Sequence, residues 1–450
     1  MPEYATHGME LDAAPLGRAA MRKATLRLIP LLALGYGSAF MDRVNISFAA
    51  LQMNRDLHFS STVYGFGAGL FFLSYAACEI PSNLLLLRFG ARRWMARIML
   101  TWGILAIAMM FVRTPIQFYI LRFLLGMAEA GFFPGVIFYL MQWFPAEMRA
   151  RTITRFYISL PLSSVFMGSL AGMLLNLQGK LGLAGWQWLF LVEGLPPLFL
   201  SVIFLRYLPN APADAKWLTP GECRWIEDSL RSENMAIAAI ESPAVHARGK
   251  LGILRDPRVW LMGAFYCCML GSSYGYSFSA PVLIQRVTGL SATRVGFIVA
   301  LTGLLGAASM LLNGLHSDHV RERYWHVIVP CLTMAAAFLA GGWFQIAAIA
   351  LPAFALIVIS YNAMQGPVLA LPGEFLHGTS AAVGFAAMNM VAMLGGFVGP
   401  YWMGLARDRF GDYRYGLMML ALSMVAAACI MLYMRREAIR LSQKQASISI

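Results

Sequence analysis

Residues 28–51 read LIPLLALGYGSAFMDRVNISFAAL, an apolar run with an acid and a base, Asp42 and Arg43, set side by side within it. A bilayer crossing takes about 20 mostly apolar residues, because every backbone N–H and C=O in hydrocarbon must be bonded within its own helix. The run is long enough to cross, and the rest of the chain is of the same kind. Its 450 residues are 59% hydrophobic and 13% charged, with a mean hydropathy of +0.63. That composition suits lipid, not a pair of water-soluble domains.

Counting such runs predicts an all-α membrane protein with about twelve transmembrane helices, at 28–51, 62–87, 93–112, 115–141, 152–176 and 186–208, then 258–283, 292–315, 325–344, 346–371, 380–405 and 414–434. The two sets of six are separated by a far more polar stretch, 209–257, that reads as a linker carrying a short amphipathic helix. The expected organisation is a tail at 1–27, a six-helix half at 28–208, the linker, a second half at 258–434 and a tail at 435–450, with a cavity between the halves.

Lys and Arg concentrate in the segments that share a side with the N-terminus, including Arg22, Lys23, Arg92, Arg93, Arg149, Arg321 and Arg435. This asymmetry predicts an inner-membrane protein with both termini cytoplasmic. A formal charge of +13 is then explained by a basic face against anionic lipid and calls for no nucleic acid. Residues 1–26 lack an apolar core before a small-residue cleavage site, so no removable signal peptide is expected. The six cysteines fit no zinc or haem spacing and are expected to be free thiols. The phosphate-binding pattern GxxxxGK[ST] is missing, and so are HExxH and GxSxG. Neither ATP hydrolysis nor enzyme catalysis is expected, and no cofactor or metal; a proton is the expected coupling ion.

The halves share a pattern. NLLLLRFGARRW (83–94) and GLHSDHVRERYW (314–325) are each a short basic turn ending in an aromatic residue. Paired halves suggest an internal repeat, with the substrate site between them near mid-membrane. MDRVNISFA (41–49), EIPSNLLLLRFGARRWMARIML (79–100), YILRFLLGMAEAGFFPGVIFYL (119–140), GWQWLFLVEGLP (185–196), AKWLT (215–219) and GGFVGPYWMG (395–404) together resemble the major facilitator superfamily. Within it they resemble the anion:cation symporter family, and especially its tartrate, phthalate and 4-hydroxyphenylacetate permeases. The resemblance implies gating positions at Gly314 and Asp318 in the second basic turn and at Arg92 and Arg93 in the first. The first turn departs from the pattern: Asn83 and Leu87 stand where Gly and Asp are usual, so the usual carboxylate latch is not expected there.

An ionised side chain in the middle of a membrane helix costs about 2.5–3.5 kcal/mol on insertion scales, so it is paired, hydrated or functional. Asp42, Arg43, Glu79, Arg122, Glu129 and Glu193 are the candidates. At about 1.5 Å per residue, Arg43 and Arg122 fall at similar depths, as a dibasic seat for an anion would require. Glu129 follows Arg122 by two turns on nearly the same face. A carboxylate there loses charge by desolvation and keeps it beside an arginine, so it can take a proton when the arginine is engaged elsewhere. The expectation is Arg43 and Arg122 as substrate ligands, with Asp42 and Glu129 as proton sites. The family resemblance implies the same assignment. The alternative is a set of structural salt bridges knitting the first and fourth helices. Glu79 and Glu193 are expected to be architectural, Glu79 paired with a loop arginine and Glu193 near the outer surface.

The resemblance adds Tyr75, a hydroxyl for the substrate, and Asn389, which would hold its polar part. Tyr274, Tyr276, Tyr361, Asn362 and Gln365 are weaker cavity candidates. Together these residues predict a proton-coupled importer of a small organic anion, a hydroxy acid such as tartrate or an aromatic carboxylate, working by alternating access, and monomeric by default. A transporter-like sensor is the alternative from another class, and a uniporter or exchanger is the mechanistic variant.

Overall fold

The structure, a computed structural model, describes residues 3–157, 159–240, 250–376 and 380–448. The middle of the linker, 241–249, and His377 lie outside the described residues. The helices are α1 (Glu3–Asp56), α2 (Ser61–Phe89), α3 (Ala91–Ala108), α4 (Pro115–Glu129), α5 (Phe132–Met141), α6 (Ala146–Tyr157), α7 (Ser159–Leu175), α8 (Gly185–Tyr207) and α9 (Pro220–Ile240). They continue as α10 (Pro257–Thr288), α11 (Ala292–Val320), α12 (Trp325–Trp343), α13 (Ala347–Ala370), α14 (Ser380–Phe410) and α15 (Arg414–Ile448). Among the described residues, eleven helical segments are long and apolar enough to cross a membrane. The expected crossing at 258–283 corresponds to α10, which is 32 residues long but, with its GSSYGYSFS stretch of small and hydroxyl side chains, falls outside that set.

Local chemistry explains the helix starts. Ser60 caps α2 by accepting from the Val63 N–H, and Asp256 caps α10 ahead of Pro257. The fourth span was expected to be one helix, 115–141, and instead it breaks. Ala130 takes an extended ψ of 133° and Gly131 the left-handed region at φ 86°. A side chain on Gly131 would collide with the Ser82 hydroxyl, so only glycine fits the turn. Pro134 then falls in the first turn of α5, where its missing N–H costs no helical bond.

Each half buries its own core, one built around Trp102, Phe132 and Trp143 and the other around Phe265, Phe338 and Met424. The N-terminal tail is helical and continuous with α1. It packs on the linker helix α9, where Gly17 lies against Trp225 and Lys23 Nζ donates to Glu222 at 2.8 Å.

The halves meet through two helix pairs, α2 with α14 and α7 with α11. In the first, Gly65 lies against Pro400, Gly69 against Phe397 and Gly404 against Ser61. In the second, Gly168 faces Gly296 backbone to backbone, and Asn176 Nδ2 donates to Thr293 Oγ1 at 2.8 Å. Small residues permit this closeness. These approaches start at the end of the bundle farthest from the linker, here the distal end. They run inward as far as Glu79–Asn389 and Ser164–Gly303. At the distal rim, Asp408 on α14 accepts from the Ser61 and Thr62 N–H groups of α2, and the Tyr64 hydroxyl donates to the Phe278 carbonyl of α10 at 2.9 Å.

Candidate functional site

Arg43 lies in the last third of α1, on the side toward Tyr274 of the second half. Its Nε donates to Glu129 Oε1 at 2.7 Å, and its Nη2 contacts the same oxygen. Glu129 is fully buried at the last residue of α4, immediately before the break, with Oε2 unpartnered. The Arg43 side chain keeps 11% exposure and Glu129 none, so the pair is mostly buried and what opening it has lies on the guanidinium side.

Arg122 stands behind an aromatic screen and its guanidinium is not at the expected matching level: Arg43 bonds Glu129, two turns beyond Arg122 on α4, and lies over Tyr75, two turns beyond the Ala68 that Arg122 bonds on α2. The Phe71 ring lies 5.5 Å from the Arg43 guanidinium and 5.0 Å from that of Arg122. The two cations were expected to share one seat. The structure shows them on separate sites, with Arg122 wholly buried and its Nη2 donating to the Ala68 carbonyl at 3.3 Å. Arg122 Nε and Nη1 have no hydrogen-bond partner, nor does Asp42 Oδ2, and the two residues are electrostatically coupled. The pairing is therefore crossed: Arg43 bonds Glu129, and Asp42 answers to Arg122. The reason lies in α1, where adjacent side chains diverge by about 100° and cannot meet the same neighbour.

Tyrosines surround Arg43. Its guanidinium lies 5.0 Å from the Tyr75 ring, and the phenols of Tyr36 and Tyr274 are within its electrostatic reach. Tyr157 and Tyr361 extend the wall: Tyr157 is coupled to Tyr361 and Tyr274, and Tyr361 lies beside Ser273 and Gln365. Asn389 Nδ2 donates to Glu79 Oε2 at 2.6 Å. Glu79, expected to pair with a loop arginine, thus joins α2 to α14 across the halves. Two of the weaker candidates point elsewhere. Asn362 donates to the Val358 carbonyl of its own helix and lies against Gly306 of α11, while the Tyr276 hydroxyl donates to the Phe354 carbonyl in the second core.

Comparison with known proteins agrees with this architecture. The family model described as Major Facilitator Superfamily matches residues 32–400. The chain belongs to the major facilitator superfamily. A protein of Agrobacterium vitis named "Putative tartrate transporter" is 44% identical over 93% of this chain and 95% of its own. The "Inner membrane transport protein RhmT" of Escherichia coli is 34% identical over 93% of this chain and 95% of its own. These relatives are consistent with the anion:cation symporter branch. Among solved structures, a bacterial homolog of the human lysosomal transporter Spinster superposes with a TM-score of 0.73 at 17% identity, covering 91% of this chain and 96% of that one. The fold is that of the superfamily, and the protein is a multi-pass membrane transporter, not an enzyme.

The residues expected to gate lie at the linker end. Asp318 is exposed near the end of α11, in a surface pocket with Ser317, Arg321, Glu322, Arg323 and Tyr324. Gly366 of α13 lies against the Gly314 backbone of α11, while the place of a Gly314 side chain is open space. Arg92 is bound within its own half, its N–H donating to Asn210 Oδ1 at 3.1 Å and its Nε to the Leu205 carbonyl. Arg93 is exposed beside it. Sequence reasoning missed Tyr36, Tyr157 and Asn45 as site residues. Asn45 Nδ2 donates to Asp42 Oδ1 at 3.3 Å, and its place three residues after Asp42 on one helix face was the available signal.

Proposed function

We propose that this transporter imports a small organic anion together with protons by alternating access, with its termini and linker in the cytoplasm. The observation that carries the reading is the Arg43–Glu129 ion pair, whose cation lies on the side toward the second half while its anion is buried. An arriving carboxylate competes with Glu129 for the Arg43 donors. Once Arg43 turns to the substrate, Glu129 is left as an unpaired buried charge, a state costing several kcal/mol, and it takes up a proton. Anion and proton thus enter the protein together. With the termini inside, the distal end faces out, and the closed α2–α14 and α7–α11 contacts describe a state sealed to the exterior.

The tyrosine wall around a single accessible arginine supports an anion with an aromatic ring or several hydroxyls. The named tartrate relative points to the hydroxy acids within that class. Uptake into proteoliposomes, with and without a protonophore, tests the reading. Accumulation should collapse with the gradient; accumulation that survives would contradict proton symport.

A further inference from the structure

Asp42, Glu129 and Glu193 are buried inside the N-terminal half, Glu193 at 3% exposure where a place near the outer surface was expected. Glu79 is placed differently. It is half-buried on α2 at the boundary between the halves, and the group it meets across that boundary is a neutral amide: Asn389 Nδ2 donates to its Oε2 at 2.6 Å. The packed seam between α2 and α14 ends at this contact. Two turns nearer the distal end, Gly396 lies hard against the Phe72 ring, whereas Glu79 and Asn389 are both partly exposed.

Neither of these two helices carries a cation to offset the carboxylate. Glu79 is the only charged residue between Ser61 and Leu87, and none stands between Ser380 and Ala406. The cation on this wall comes from α1: the Arg43 guanidinium lies 5.0 Å from the Tyr75 ring. Tyr75 and Glu79 are four residues apart, on one face of α2 and about 6 Å along its axis. The space beside α2 therefore has a positive end at Arg43 and a negative end at Glu79, a short carbon chain apart. A carboxylate that holds Arg43 presents its far end to Glu79 and Asn389. An ionised carboxylate accepts hydrogen bonds and donates none, and the amide oxygen of Asn389 is a further acceptor. A hydroxyl supplies the donor this end needs. A second carboxylate supplies none and sets two like charges side by side, which costs affinity.

We infer that the substrate is a hydroxy acid with a single carboxylate, and that Glu79, held in place by Asn389, selects it by accepting a hydrogen bond from the hydroxyl at its far end. The inference rests on the proposed reading that Arg43 takes the substrate carboxylate. It narrows the hydroxy acids to monoanions and makes Glu79 the residue that disfavours dianions. Without substrate, the Asn389 amide satisfies the Glu79 carboxylate. No covalent bond or proton changes hands in this recognition.

Tartrate and threonate test it, because they share a carbon chain and its middle hydroxyls and differ at one end, a second carboxylate in tartrate and a hydroxymethyl group in threonate. Their affinities are read at neutral pH from the concentration dependence of the thermal stability of the purified protein, which needs no proton gradient. Wild type should prefer threonate. In Glu79→Gln, which keeps the shape and removes the charge, that preference should fall about tenfold, the size of a like-charge contact partly screened by water. Glu79→Asp, which keeps the charge, should retain it. A wild type that prefers tartrate or binds neither acid would overturn the inference, and so would an unchanged preference in Glu79→Gln, which would leave Glu79 a tie between the halves. Should Glu79→Gln fail to fold, the wild-type preference decides. Arg43→Ala separates this inference from the reading beneath it. Loss of both acids upholds the Arg43 seat whatever Glu79 does, and undiminished binding would remove that seat and the inference with it.

Discussion

The two halves share a fold and divide the chemistry. Among the described residues, the buried acids and bases of the bundle, Asp42, Arg122, Glu129 and Glu193, all belong to the N-terminal half, with Arg43 and Glu79 at its edge. The buried polar residues of the C-terminal half are neutral hydroxyls, Ser272, Ser273, Ser279, Thr302, Ser317 and Ser360, and it presents Tyr274, Tyr361, Gln365 and Asn389 toward the site. The contrast teaches that a repeat can keep its helices while only one copy carries charge. In the proposed symport, the carboxylates that would take up protons therefore sit in one half, and the other half would meet the substrate with neutral side chains.

Four variants probe this division, from the largest effect to the smallest. Arg43→Ala removes the accessible cation, and uptake should fall about 100-fold, the loss of roughly 3 kcal/mol of charge-assisted hydrogen bonding. Arg122→Ala instead strips a buried charge of its role inside the half and should lower unfolding stability by about 3 kcal/mol, read by thermal denaturation. Uptake that tolerates Arg43→Ala would move the anion seat elsewhere. Gly296→Val puts a side chain into the Gly168 backbone, so α7 and α11 cannot close at the distal end. Transport should drop about tenfold, and a cysteine placed near Thr293 should become more reactive to impermeant reagents; no change would mean that this contact does not seal the bundle. Asp408→Asn weakens the two N–H contacts at the α2 start. The shift toward a distal-open state should be about 1 kcal/mol, measurable by the same labelling.

Much of this was legible in the sequence because a charge in an apolar helix has few innocent explanations. Asp42, Arg43, Arg122 and Glu129 were found on that ground, and twelve expected spans followed from length and hydropathy, including the one at α10 despite its serines. The crossed pairing was not legible. It depends on side-chain directions around α1 and on Phe71 standing between the arginines, neither of which spacing reports. Tyr36 and Tyr157 passed unnoticed because a tyrosine in a membrane helix packs as readily as it binds. The break at Gly131 was missed in a fourth span read as one helix, 115–141, although Pro134 three residues on was a warning of it. Glu193 was misplaced because depth was judged from its distance to a presumed helix start, without the neighbour that buries it.

The division of labour is tested most directly by counting protons carried per substrate in proteoliposomes, comparing Glu129→Gln with Asn389→Ala. The account predicts that Asn389→Ala raises KM about tenfold while keeping the wild-type ratio, since it removes one neutral contact from the C-terminal half. Glu129→Gln should still exchange substrate but carry fewer protons and fail to concentrate it. A Glu129→Gln protein that concentrates substrate at the wild-type ratio, or an Asn389→Ala protein whose ratio changes, would contradict it.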